Sequence, residues 1–523
     1  MDRRALLLGR RPAPPPDAPA LPSPSGADPD PVRRMPPPVA PPYAGGLAPY
    51  APTASDPWDA RRARHLLRRS GYYASPAAIA SALGRTPGAV VTAIVDAAVA
   101  ATLPPVPTHA TLFPPPTGAT AAEIATYNTA NGNGFVAEAN GVFAEALALR
   151  VPGTGLRERL TLALSGVLTT NYDGYGSRAH RLHTYWRLLR THALGSYPTL
   201  VREMGRTPAM LDFLDGNLNR VGPPPNENYA RELLELFTTG ITGPDGQPNY
   251  TQADIVALAR ALTGWTTPSA SNDGLFVASR FDAGQKTIFG RTGAFGYDEA
   301  HDLIFAERPA AVAHRLAGVL YRTFVAVGEN AQVVGEIAAV LRANAFTIEP
   351  AVRALLGSQH FFSTSVLGAR VTSPVDFLAG LAGASGYSAP EAQFSTFRTQ
   401  ARDMGFDVFR PPDVSGWSGG RVWLDTGRMP ARWAATDRIW ARRTEARALA
   451  LTMATPADPY ALTDELAAHT LAVPLSAATR AQAVEVLLGG IPDYEWDPAA
   501  AGSEARLRAL LQFLSRLPEA QLA

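Results

Sequence analysis

The chain has 523 residues with 47 basic and 46 acidic side chains, a formal net charge of +1, so no global field exists for holding a nucleic-acid backbone or an anionic membrane. It contains no cysteine, which excludes disulfides, thiolate metal sites, iron–sulfur clusters and a cysteine nucleophile. Only 18% of residues are charged and 46% are hydrophobic, a balance that implies extensive burial or an apolar partner surface.

The opening Asp2-Arg3-Arg4-Ala5-Leu6-Leu7-Leu8-Gly9 has the start of a twin-arginine export signal, but Arg10 and Arg11 end the apolar stretch early. It is read as an arginine-rich soluble arm, and a cytoplasmic location is preferred to export. Residues 1–57 hold 17 of the 47 prolines, whose locked rings and missing amide donors oppose helix and sheet, so a disordered proline-rich arm is expected. The longest apolar run, Ala89 to Leu103, is broken by Asp96 and is too short for a bilayer, so no integral membrane segment is expected.

From Trp58 onward apolar residues recur at helical spacing, and hydroxyl–proline pairs mark helix starts at Ser75-Pro76, Thr207-Pro208 and Ser373-Pro374. Asp376 stands where its carboxylate can reach back to the Ser373 amide as in a capping box. Strand signals are scarce. The fold class is therefore all-α: a multi-helix globular body with ordered Gly/Pro-rich loops, or a short hairpin, around 264–295 and 410–423. The expected organisation is an arm over 1–57, a helical body over 58–445 and a C-terminal helical subdomain over 446–523 packed on the body.

The most informative stretch runs from Asn226 to Gly240. With Asn226 as N-cap, a turn of about 100° per residue places Tyr229, Leu233, Leu236 and Phe237 on one face. Glu227, Arg231 and Glu235 then stack on the other, either as a paired-carboxylate site or as a solvated face laced by ion pairs. A second helix opens at Thr251 with Asp254 as capping-box acid, buries Ile255, Leu258, Ala259 and Leu262, and closes at Thr263-Gly264-Trp265.

Lys286 is the only lysine against 46 arginines. A site that needs a compact ammonium cannot accept a planar guanidinium, which singles this position out unless its survival is chance. Trp417, among Pro411, Pro412, Gly416, Gly419 and Gly420, either walls a pocket or plugs the core. His180 and His183 have the i, i+3 spacing of a shared ion, but a pair without further ligands reads as core or surface histidine. No metal and no cofactor is called for, since Walker and H-E-x-x-H motifs are missing.

Asn226 to Phe237 (NENYARELLELF) and Ala259 to Trp265 (ARALTGW) resemble the bacterial family catalogued as domain of unknown function 1800. So do Arg64–Arg69, Leu156-Arg157-Glu158-Arg159, Pro208–Leu211, the Lys286 loop, Ser373–Phe377, and Pro411–Val414 with Gly416-Trp417. The resemblance implies a mostly helical fold without a settled activity, and frequent genomic neighbours that resemble sulfatases. It also shows departures. Where relatives carry Trp-His-Asn-His-Phe, this chain has Leu164-Ser165-Gly166-Val167-Leu168, and Phe281 replaces a histidine before Asp282.

The lost histidines, low charge fraction and proline-rich arm favour a binding or scaffold protein acting with a partner protein, such as a sulfatase-like neighbour. The alternative is a hydrolase or transferase, whose catalytic candidates are Glu232, Glu235 and Lys286. Candidate binding residues are Glu227, Asn228, Arg231, Asp254, Arg260, Asp282, Lys286 and Trp417.

Overall fold

The computed structural model describes residues 38–523 except 149–152, 223, 387–393 and 443–445. The first 37 residues of the expected proline-rich arm, with its arginine-rich start, lie outside the described residues. The described chain is built of helices, with two short antiparallel hairpins as its only named sheets.

The helix starts follow from local chemistry. Ser75, Thr207, Thr251 and Ser373 each accept a hydrogen bond from the backbone amide three residues on, satisfying a donor that the first helical turn leaves orphaned. At Thr251 and Ser373 the box closes, because Asp254 and Asp376 return a carboxylate to the cap amide. Proline occupies the first turn at 76, 208 and 374, where no amide is needed.

At the centre, helix Ala121–Ala146 packs against Thr154–Ser165, Ala179–His192 and Phe394–Asp403. Its second half, from Gly134 to Ala146, is buried almost throughout, and Phe143, Leu160, Leu182, Trp186 and Leu189 fill the shared core. Gly134 permits the tightest approach: a Cβ there would come within 2.8 Å of both Ala179 and His109. Helices Pro309–Phe324 and Ala331–Ala343 form a closely packed antiparallel pair beside this centre. The C-terminal helices Pro459–Thr470, Ala477–Leu488 and Ser503–Arg516 pack on one another, and the last of them packs on Arg428–Arg442. Backbone bonds from Thr372 to Gln521 and from Ala523 to Arg370 then tie the end of the chain to the body.

Residues 38–57, read from sequence as part of the arm, are docked on the body. Tyr50 donates its amide to Gly357, Gln359 to Ala48, and the Leu47 amide meets Glu336 at 2.7 Å. Proline explains the absence of regular structure here, but these contacts replace the missing ladder bonds with long-range ones.

The helix that carries the carboxylate motif differs in two details from its expected form. Its cap is Glu227 rather than Asn226, whose Oδ1 accepts instead from the Asn228 amide at 3.0 Å. It is α-helical only over Asn228–Glu232 and continues as a π-helix over Leu233–Thr238. The wider turn rotates each side chain less, so Leu234 joins Leu233 and Phe237 in the core and Leu236 is left half-buried. Gly240, at φ 74°, ends it. The loop expected around 264–295 forms two hairpins, Trp265–Thr266 with Leu275–Phe276 and Lys286–Ile288 with Arg291–Gly293.

Candidate functional site

The sequence-derived candidates fall into two local clusters. On the motif helix Arg231 bridges Glu227 at 2.9 Å and Glu235 at 3.2 Å, and Gln252 joins both Arg231 and Glu227. These side chains are partly exposed, and i, i+4 pairs of this kind add a few tenths of a kcal/mol each, roughly 0.3–0.5. Glu235 also bonds the Tyr250 phenol, whose pKa is raised first by burial and then by that carboxylate. Glu232 is half-buried on the same helix, and Asn228 reaches Asp215 at 3.3 Å.

The second cluster organises the loop before the second hairpin. Arg260 forks onto Asp282 at 2.7 and 3.1 Å and donates to the Gln285 carbonyl. Lys286 turns inward, donates to the carbonyls of Asp282 at 2.5 Å and Gly284 at 2.9 Å, and lies over the Phe281 ring at 5.0 Å. With 2% of its surface exposed, it closes a loop rather than facing a cleft. Asp254 serves twice, as the capping-box acid and as acceptor for the Phe289 amide at 2.7 Å, where Phe289 adopts φ 51°. Among the described residues no hydrogen bond or ion pair joins the Glu235 cluster to the Asp282–Lys286 cluster.

Trp417 lines a large cavity. About 390 Å³ opens between the helices 154–165, 309–324 and 374–384 and the loop 415–423. Gly416, at φ 82°, holds this loop against the 154–165 helix, since a Cβ there would meet the Gly166 carbonyl at 2.8 Å. Trp417 stacks on Phe406 at 4.2 Å, and with Trp423 it makes the apolar wall.

The charged part of the lining is mostly basic. Arg159, Arg315, Arg322 and Arg370 stand there against a single acid, Asp376. Arg159 meets Asp376 at 2.6 Å and lies 4.3 Å from the Tyr72 ring centre, while Arg370 bonds the other Asp376 oxygen and the Thr323 carbonyl. Burial would raise the Asp376 carboxyl, but Arg159 and Arg370 outweigh it and hold it well below the usual range. Arg322 pairs with Glu329. Arg315 has no carboxylate partner among the described residues; its Nε donates to the Leu236 carbonyl at 3.1 Å, which ties the cavity to the π segment. Burial and the neighbouring Arg322 lower its pKa, as expected where a guanidinium lacks a counter-charge.

A third grouping lay beyond sequence reasoning. His109 Nε2 and His183 Nδ1 both donate to Glu138 Oε1, at 2.8 and 2.6 Å, and all three residues are buried. His180 turns away from this group to Asn272 at 2.9 Å, and burial pushes its pKa down to about 4, so the i, i+3 histidines share no centre. Nothing in the spacing links positions 109, 138 and 183, whereas Arg159 stood inside a motif already singled out. Arg315, Arg322 and Arg370 carried no sequence signal, being three arginines among 46.

The chain matches the family model described as "Protein of unknown function (DUF1800)" over residues 65–522. No curated protein and no solved structure matches it. Since the matched stretch spans most of the chain and includes every helix around the cavity, the protein belongs to the DUF1800 family.

Proposed function

We propose that this chain is a binding protein that acts with a partner protein and receives an anionic group of that partner, above all a carboxylate, in the arginine-lined cavity. The observation that carries this reading is the four-to-one excess of arginine over acid around 390 Å³, a volume within the range of ligand pockets. Asp376 already shows how two of these arginines grip a carboxylate. Arg315 has no carboxylate bonded to it among the described residues, and it lines the cavity together with the apolar rings of Trp417 and Trp423. An acidic segment with an apolar neighbour fits such a surface, and guanidinium geometry favours carboxylates or other planar oxyanions. The partner in view is a protein encoded nearby, sulfatase-like as the resemblance implies.

The hydrolase or transferase alternative gains no support from the geometry. Glu235 and Lys286 bond to separate partners; of the cavity's hydroxyls, Ser373 and Ser415 are engaged with Asp376 and Asp413 and Thr323 with the Val319 carbonyl, and no histidine lines the cavity beside Ser418. Gly166 and Val167, from the segment where relatives carry two histidines, line the wall instead.

The test is co-purification from the native host with wild type, Arg315→Leu and Arg315→Lys. The expected result is a partner captured by wild type, lost with leucine and partly kept with lysine. A partner list unchanged by Arg315→Leu would overturn the reading.

A further inference from the structure

Outside the arginine-lined cavity, a buried group of three ligand-type side chains stands at 109, 138 and 183. We propose that His109, Glu138 and His183 form a binding site for one divalent transition-metal ion of the zinc class. The site is separate from the arginine-lined cavity, and its failure would leave that reading untouched.

The geometry comes from three elements. His109 lies on the 3-10 turn Thr108–Thr111, Glu138 on helix Ala121–Ala146 and His183 on helix Ala179–His192. The bare Gly134 allows the His109 turn to approach both helices. The three ligand atoms lie within 4.8 Å of one another. The imidazoles meet nearly at right angles, 85° with ring centres 5.9 Å apart, so their nitrogens converge on the carboxylate instead of stacking past it. Two imidazoles and a carboxylate are a donor set suited to zinc, which takes three protein ligands and leaves a fourth position for water in open sites. A cavity of about 60 Å³ adjoins all three residues, enough for that water.

The electrostatics favour an ion over a plain hydrogen-bond hub. Glu138 is 6% exposed, and among the described residues no arginine or lysine pairs with it. Of the two arginines lining that cavity, Arg190 is held by Glu158 in a bidentate pair at 2.8 and 3.1 Å, and Arg187 donates to the Pro104 carbonyl at 2.9 Å. A buried carboxylate without a fixed cation is costly, and a divalent ion supplies the missing charge. His183 Nε2 is also buried without a partner, and it lines the cavity where a water could meet it. Present separations of 2.6 and 2.8 Å would widen to roughly 3.3 Å around a tetrahedral ion, a small adjustment for side chains on separate elements.

The experiment uses the full chain, stripped with chelator and titrated with zinc chloride, then with cobalt(II) for its absorption spectrum. The expected result is uptake of about one equivalent, a tetrahedral cobalt spectrum, and a Tm that rises with zinc. Glu138→Gln and His183→Gln keep size and hydrogen bonding, and each should weaken uptake by on the order of a hundredfold, at or beyond the loss from removing an outer-shell partner. If wild type takes up no zinc, or the variants take up as much as wild type, the proposal is overturned. Wild-type uptake is read by itself, so a variant that fails to fold does not blunt the test.

Discussion

At the scale of the residue, Lys286 shows why one amine survives in an arginine-rich chain. Its ammonium closes a loop by meeting two carbonyls that a planar guanidinium could not reach together without displacing the Phe281 ring. Lys286→Arg should therefore destabilise by about 2 kcal/mol or more, against ~0.5 for an ordinary surface exchange, as read by thermal or denaturant unfolding. Asp376 makes a second prediction, on pH. Its folded-state pKa is depressed below the unfolded value of about 3.9, so its contribution is present above that value and is lost as pH falls through the folded one. Asp376→Asn should cost on the order of 3 kcal/mol at neutral pH and flatten the decline in stability below about pH 4. Urea unfolding at several pH values measures both, and an unchanged acid limb would count against the pairing. Sequence gave away the capping role of Asp376, because a cap is local. Its partner Arg159 could not be read in the same way, since a guanidinium 217 positions away leaves no periodic trace, and Arg370, six positions before Asp376, lies outside the helix whose periodicity the sequence displays.

At the scale of the element, glycines at two turns set the frame of the cavity. Gly240 ends the π segment at φ 74°, but a Cβ there finds nothing nearer than 3.8 Å, so Gly240→Ala should cost only the left-handed strain of ~1–2 kcal/mol. Gly416 combines φ 82° with a backbone carbonyl 2.8 Å from the added Cβ. Gly416→Ala should be the more damaging of the two by thermal unfolding, because the Trp417 loop must move off the 154–165 helix. Helix starts and buried stripes were legible at this scale, as at Thr251 with Ile255, Leu258 and Ala259, because caps and 3.6-residue periodicity are properties of neighbours. The π winding of Leu233–Thr238 was not, since the same apolar spacing suits either turn until tertiary packing selects one. The docking of 38–57 was hidden likewise: proline content rules out ladders but says nothing of carbonyls and amides supplied by residues some 300 positions on.

At the scale of the whole molecule, near-neutral net charge conceals a strongly uneven interior. The formal balance of +1 gives no hint that four arginines converge on one cavity with one acid among them. The all-helical class followed from composition and spacing, whereas the cavity depends on helices from distant parts of the chain meeting across the core. Of the catalytic and binding candidates named from sequence, Trp417 lines that cavity, while Asp282 and Lys286 fix a loop and Glu227, Arg231 and Glu235 lace a helix surface. Calorimetric titration of the full chain with a short acidic peptide, at two salt concentrations and against Arg315→Leu, tests the central claim most directly. The account predicts saturable binding that weakens with salt and falls at least tenfold in Arg315→Leu; equal binding by wild type and variant, or none by either, would contradict it.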